Sequence, residues 1–162
     1  MATKYDAVVI GTGQAGPSLA VRLADTRMKV AIIERKRFGG TCVNNGCIPT
    51  KTLVASARAA HVARRAADYG VTIPGSIAVD MKKVKMRKDA LVRQSSEGVE
   101  IWLRDTQNLT VIEGHARFVD AHQVRVGDEL LEADKFFINV GGRASVPPLR
   151  GIDQVSYLNI QR

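Results

Sequence analysis

The two cysteines of this chain are separated by four residues in the stretch Gly39-Gly40-Thr41-Cys42-Val43-Asn44-Asn45-Gly46-Cys47-Ile48-Pro49-Thr50-Lys51. That spacing suits thiol chemistry. Gly46 lets the backbone tighten just before Cys47, which brings a strained small-loop disulfide within geometric reach. Closing so short a loop gains little chain entropy, so the bond is better suited to opening and closing than to stapling the fold. Downstream of Cys47 the pattern turns helical, with Pro49 in the first turn, where proline is tolerated. A helix start favours a thiolate, and Lys51 one turn on adds a positive charge, so the pKa of a nearby cysteine is expected to fall. From the cysteines alone, two inert buried thiols, half of a zinc site or a stability disulfide remain open. His61, His115 and His122 show no paired ligand spacing, and no metal site is expected.

What could position such a pair begins at the other end of the stretch. Tyr5 to Ile10 reads as a short buried strand that runs into Gly11-Thr12-Gly13-Gln14-Ala15-Gly16, a G-x-G-x-x-G turn,. A helix follows, with Ala15, Leu19 and Leu23 on one face, Ala20 and Ala24 beside it, and Pro17 in its first turn. In such a unit Gly11 makes the tight turn, Gly13 admits pyrophosphate close to the backbone, and Gly16 lets helix pack on strand. Lys29 to Ile33 reads as the second strand, and Glu34 stands at its carboxyl end, about twenty residues past the glycines, where a carboxylate can accept two ribose hydroxyls. The order strand, glycines, helix, strand, acid makes a dinucleotide-binding unit the expectation.

With the dithiol stretch beside it, GGTCVNNGCIPTK resembles the active-site signature of the flavin-dependent pyridine nucleotide-disulfide oxidoreductases. These include dihydrolipoamide dehydrogenase, glutathione reductase and mercuric reductase. The PTK ending followed by TLVASA is most similar to mercuric reductase. The resemblance implies that Cys42 is the outer thiol that exchanges with substrate, Cys47 the inner sulfur against the flavin, and Lys51 the lysine beside the flavin ring. It implies that FAD is the cofactor, its adenosine half held by Gly11, Gly13, Gln14, Ala15, Gly16 and Glu34. Gly39 and Gly40 then lie where backbone passes close to cofactor, and the Thr41 hydroxyl touches FAD. NAD(P)H would be the electron source in a complete enzyme, the acceptor a small molecule or metal ion, and the full-length assembly a homodimer.

The fold class expected is α/β: an FAD/NAD(P)-binding, Rossmann-like three-layer fold with a parallel sheet and an antiparallel crossover meander, incomplete. From Ile48 to Asp68 an amphipathic helix is expected, with Leu53, Ala57, Ala60, Ala63 and Ala67 facing inward and Arg58, His61, Arg65 and Asp68 outward. A break at 70–76 precedes a second helix from about Val79 to Asp105, with Val84, Leu91, Val99 and Trp102 on its core side. Between Leu109 and Val140 the period shortens to LTVIEG, ARFVD, QVRV, ELLEA and KFFINV, read as a meander inserted between parallel units. By the resemblance, Gly114-His115-Ala116 presents backbone to the adenine, Gly114 and Ala116 making the contact, and Gly141 closes the returning strand. The family usually has Ala-Thr-Gly there; this chain has Asn139-Val140-Gly141, keeping the glycine and losing the hydroxyl.

At 162 residues, with 45% hydrophobic and 25% charged residues, the chain suits one well-buried domain spanning 1–162,. No apolar run approaches a membrane span and no signal peptide is visible, so a cytoplasmic location and no membrane partner are expected. The net charge of +8 concentrates on Lys82, Lys83, Lys85, Arg87, Lys88 and Arg93 of one helix, with Arg58, Arg64 and Arg65 on another. Without interleaved aromatics this reads as a solvated face, not a nucleic-acid site. No second G-x-G-x-x-G, no later flavin-binding Gly-Asp segment and no dimer domain are present. The expectation is the FAD-binding N-terminal part of a larger reductase, inactive alone, against a non-catalytic nucleotide-binding module or an interaction protein with basic helices.

Overall fold

The structure, a computed structural model, describes residues 1–158. Its centre is β1 (Thr3–Ile10), whose last four residues, Ala7 to Ile10, are buried on both sides. Such a strand reads as a continuous apolar run because parallel neighbours and two covering layers enclose it. β2 (Val30–Glu34) pairs with it in parallel from Ala7 opposite Val30 to Ile10 opposite Ile33. α1 (Ala15–Asp25) connects the two.

One six-stranded sheet runs in the order β3-β2-β1-β6-β5-β4. β3 (Leu109–Glu113) lies parallel to β2 at one edge. β4 (Ala116–Phe118), β5 (Gln123–Val126) and β6 (Glu129–Ile138) form an antiparallel run. The inserted-meander reading is corrected in two respects. LTVIEG belongs to the parallel sheet, and ELLEA with KFFINV is a single ten-residue strand, β6. That strand pairs with β5 near its start and with β1 along most of its length, so the meander grows out of the central sheet.

Alternation of side chains across the sheet defines its two faces. Val8, Ile10, Ala31, Ile33 and Ile112 meet Val124, Val126 and Leu131 of the antiparallel strands on one side. On the other, Val9, Val30, Ile32 and Leu109 meet Ala20 and Ala24 of α1, Phe38, and Leu103 of α4 (Met81–Asp105). Helices, parallel sheet and meander thus make three layers, as expected.

Helix faces depart from the sequence pattern. On α1 the buried stripe is Gly16, Pro17, Ala20 and Ala24, while Leu19 and Leu23 are half-buried and Ala15 is exposed. Small residues let this helix approach the strands closely. α2 (Gly40–Asn44), a short helix within the dithiol stretch, was not foreseen, and α3 (Cys47–Arg64) ends before a 3-10 turn at Ala66–Tyr69. Only Thr52 of α3 is buried; Leu53 and Ala57 of the expected inner face are exposed, and the side toward α4 carries Thr52, Ser56, Ala60 and Ala63. α4 is capped by Asp80, whose carboxylate accepts from the N–H groups of Lys82 and Lys83,. Its core residue is Leu103, fully buried, whereas Trp102 is 45% exposed. Among the described residues no helix is long and apolar enough to cross a membrane.

Leu103→Ala is expected to cost about 2–5 kcal/mol of unfolding free energy, since the cavity opens against the sheet. Trp102→Ala should cost well under half as much. Urea denaturation of the two variants checks the order.

Candidate active site

The glycine turn between β1 and α1 is anchored at both ends. Gly11 N–H donates to the Ile33 carbonyl at 2.7 Å, and Asn139 N–H donates to the Ile10 carbonyl at 2.8 Å. Glu34, half-buried at the end of β2, reaches across to the same turn. Its Oε2 accepts from the Thr12 N–H at 3.0 Å and from the Thr12 hydroxyl at 2.6 Å, and its Oε1 accepts from the Lys36 N–H at 2.9 Å. A carboxylate offers roughly four acceptor sites. Three are taken by the protein, so Glu34 has room for one further hydroxyl at Oε1 without displacing a donor, where the sequence suggested two.

Thr12 is fully buried and its oxygen also accepts the Gly39 N–H, at 3.3 Å. Through it the turn, the acid and the dithiol stretch become one unit. Gly39 holds φ +88 and packs on Val43, and a Cβ on Gly40 would lie 2.8 Å from the Cα of Gly13. The two glycine-rich segments therefore touch backbone to backbone. The Asn44 carboxamide donates to the Phe38 and Gly40 carbonyls, each at 2.9 Å, and the Ser96 hydroxyl of α4 donates to the Phe38 carbonyl at 2.8 Å. The stretch is thus fixed before the first cysteine.

Cys42 lies on α2 and Cys47 opens α3; both are free thiols, and the Cys42 thiol is hydrogen-bonded to Cys47. Gly46 has φ −115, and its Cα faces the Thr41 carbonyl so closely that a Cβ would sit 3.1 Å from that oxygen. Its role is close passage rather than a left-handed turn. Cys42 is half-buried and Cys47 exposed. The expected fall in thiol pKa is also corrected for Cys42. Its hydrogen bond to Cys47, then burial, then the charge of Cys47 raise its pKa; a backbone hydrogen bond and the charge of Lys51 pull the other way and are outweighed,.

The remaining predicted residues are spread around this unit. Gln14 and Ala15 are exposed at the start of α1, where no side-chain cap is present, so the N–H groups there are open to an outside acceptor,. Thr41 and Lys51 are exposed on the dithiol side. Gly114 follows β3 with its N–H on the Glu34 carbonyl at 2.8 Å, bringing the Gly114–Ala116 segment to the acid's end of the sheet. His115, exposed there, faces Arg35 at 3.5 Å; His61 and His122 are exposed elsewhere. Gly141 lies past β6 with φ +67 and open space around it. Arg87, read as part of a solvated face, instead turns toward α3 and donates to the Thr52 carbonyl at 3.0 Å and the Ser56 hydroxyl at 3.3 Å. Lys85 and Lys88 of the same helix hold the Asp89 carboxyl down at about 2.

An extended dinucleotide needs a backbone it can approach, an uncapped helix start for its phosphates and an acceptor for its ribose. The glycine turn, the α1 start and the open Oε1 of Glu34 lie together and fit that demand. Thr12 and Asn139, which hold the turn, carried no sequence signal, because their partners lie 22 and 128 residues away.

A parallel sheet with this turn, backed by a paired dithiol, defines a dinucleotide-binding redox protein. Residues 5–161 match the pyridine nucleotide-disulphide oxidoreductase family, and the chain belongs to it. It is 34% identical to dihydrolipoyl dehydrogenase of Acholeplasma laidlawii over 154 residues, 95% of this chain and 46% of that protein. Mercuric reductase of Lysinibacillus sphaericus is 37% identical over 95% of this chain and 28% of its own length. The Cu(II) complex of the HOCl-induced flavoprotein disulfide reductase RclA from Escherichia coli superposes with a TM-score of 0.76 and 38% identity, covering 93% of this chain and 32% of that one. The chain spans less than half the length of these relatives.

Because Cys47 raises the Cys42 pKa, Cys47→Ala should speed alkylation of Cys42 at pH 7 and shift its pH–rate profile to lower pH. Iodoacetamide trapping with mass spectrometry measures it; a slower or unchanged rate would contradict the coupling.

Proposed function

We propose that this chain is the FAD-binding, dithiol-bearing part of a flavoprotein oxidoreductase that moves electrons from NAD(P)H through FAD to Cys42 and Cys47, and on to an acceptor. The observation that carries the reading is the tie between the glycine turn, Glu34 and the dithiol stretch through Thr12. It puts a dinucleotide cradle and a thiol pair on one rigid frame. Gly11, Gly13, Gln14, Ala15 and Gly16 hold the diphosphate, Glu34 the adenosine ribose, and the Gly114 and Ala116 backbone the adenine; Gly40, Thr41, Lys51 and Gly141 border the rest of the cofactor. Bound FAD supplies two-electron exchange between a nicotinamide and the thiol pair.

The chain's own part is thiol exchange. With a disulfide acceptor, the Cys42 thiolate attacks one sulfur and releases the other half as a thiolate, which takes a proton. Cys47 then attacks the Cys42 sulfur, expels the second half and closes the Cys42–Cys47 disulfide, so two electrons leave the pair and two thiols leave the site. The raised pKa of Cys42 means that its proton must be removed before it attacks,. Two adjacent soft sulfurs also suit a soft metal ion such as Hg(II) as acceptor, in keeping with the relatives named mercuric reductase. We place the protein in the cytoplasm, where reduced thiols persist, and the whole enzyme as a homodimer with residues 1–162 as its FAD-binding domain. The isolated chain should not turn over NAD(P)H, since the dinucleotide cradle among its described residues is the one assigned to FAD.

Binding of FAD to the purified chain tests the reading. Glu34→Ala is expected to weaken FAD by about 1–3 kcal/mol, the worth of a lost hydrogen bond to a charged group. Titration by flavin fluorescence reads this directly, and unchanged affinity would remove Glu34 from the site.

A further inference from the structure

We propose that Asn139 is a positioning residue for the diphosphate-binding turn: its carboxamide lies in the space left by Gly13 and Gly16 and holds the Gly11 carbonyl in place. The inference rests on the reading of that turn as the cofactor's diphosphate site. β1 and β6 pair in parallel as far as Ile10 and Ile138, and the Asn139 N–H adds one more ladder bond to the Ile10 carbonyl at 2.8 Å. Asn139 therefore stands directly beside the turn, half-buried. Its Nδ2 donates to the Gly11 carbonyl at 3.2 Å.

Each glycine of the motif borders this one residue. A Cβ on Gly11 would lie 2.3 Å from the Asn139 carbonyl oxygen, one on Gly13 would lie 3.4 Å from Nδ2, and one on Gly16 would lie 2.7 Å from Nδ2 and 2.1 Å from the Gly11 carbonyl oxygen. The backbone contacts, Gly11 with the Asn139 carbonyl oxygen and Gly16 with the Gly11 carbonyl oxygen, leave no room for a methyl group without moving the backbone, and at Gly16 the Asn139 carboxamide would have to leave its place as well. The motif thus accommodates an asparagine from a distant strand as well as a ligand. The next residue, Val140, is 63% exposed, so the hydrogen-bonding group at this strand end is at 139 and not at 140. Removing the carboxamide leaves a turn carbonyl without its donor and an empty space beneath the backbone that meets the phosphates. An aspartate of the same shape sets negative charge against that carbonyl and near a diphosphate.

The test compares ADP, which carries the diphosphate, with adenosine, which does not, on the 162-residue chain by ligand-observed NMR, which reads millimolar binding. Asn139→Ala is expected to raise the Kd for ADP about tenfold, roughly 1.4 kcal/mol, and that for adenosine less than twofold. Asn139→Asp should raise the ADP value further with adenosine again nearly unchanged. Asn139→Ser, which keeps a short donor, should fall between wild type and Asn139→Ala, and it carries the comparison if either other variant fails to fold by circular dichroism. Equal loss of both ligands would mean a merely structural role and overturn the proposal, as would unchanged ADP affinity in folded variants. A wild-type chain that binds neither ADP nor FAD would instead overturn the cofactor reading, and this inference with it.

Discussion

The buried hydroxyl of Thr12 joins three segments that are far apart in the chain. It donates to Glu34 at 2.6 Å and accepts from the Gly39 N–H at 3.3 Å. A hydroxyl with no exposure must find partners for its proton and its oxygen, and a carboxylate is the strongest acceptor within reach. Satisfying that one group fixes the height of the glycine turn over β2, the aim of the Glu34 carboxylate and the start of the dithiol stretch. The hydrophobic layers above and below the sheet bring these elements near each other; the polar contact sets their relative placement.

From that point the dithiol stretch is held by short-range devices. Asn44 and Ser96 meet at the Phe38 carbonyl, one from the short helix inside the stretch and one from α4. Arg87 carries the same linkage along α3 by donating to the Thr52 carbonyl and the Ser56 hydroxyl. The consequence is a thiol pair whose backbone is restrained on both sides while Cys47 stays exposed at the head of its helix. The positive charge of Lys51 and the backbone favour a thiolate at Cys42, yet the adjacent sulfur outweighs them.

Where several local signals agreed, the architecture was legible in the sequence. Tyr5 to Ile10, the glycines and Glu34 follow the strand-turn-helix-strand grammar that backbone geometry imposes. The helix faces were less legible. α3 is rich in alanine, which is nearly neutral between core and surface, so Thr52 and Ser56 could pack toward α4 while Leu53 stayed exposed. Trp102 and Leu103 are adjacent, and a shift of one residue turns a helix by about 100 degrees, enough to exchange the core position between them. The break read between ELLEA and KFFINV falls at Asp134, and a charged residue is tolerated where a strand has an exposed face,. Asn139 and Thr12 were invisible for a different reason: their roles exist only once β6 and β2 lie beside the turn.

Amide hydrogen exchange on Thr12→Val, nearly isosteric and without the hydroxyl, tests the claim that one buried contact couples the cradle to the thiols. The account predicts faster exchange at Gly11 to Gly13 and, in the same variant, at Gly39 and through Asn44. Faster exchange confined to residues 11–16, with the 39–44 segment as protected as in wild type, would contradict it.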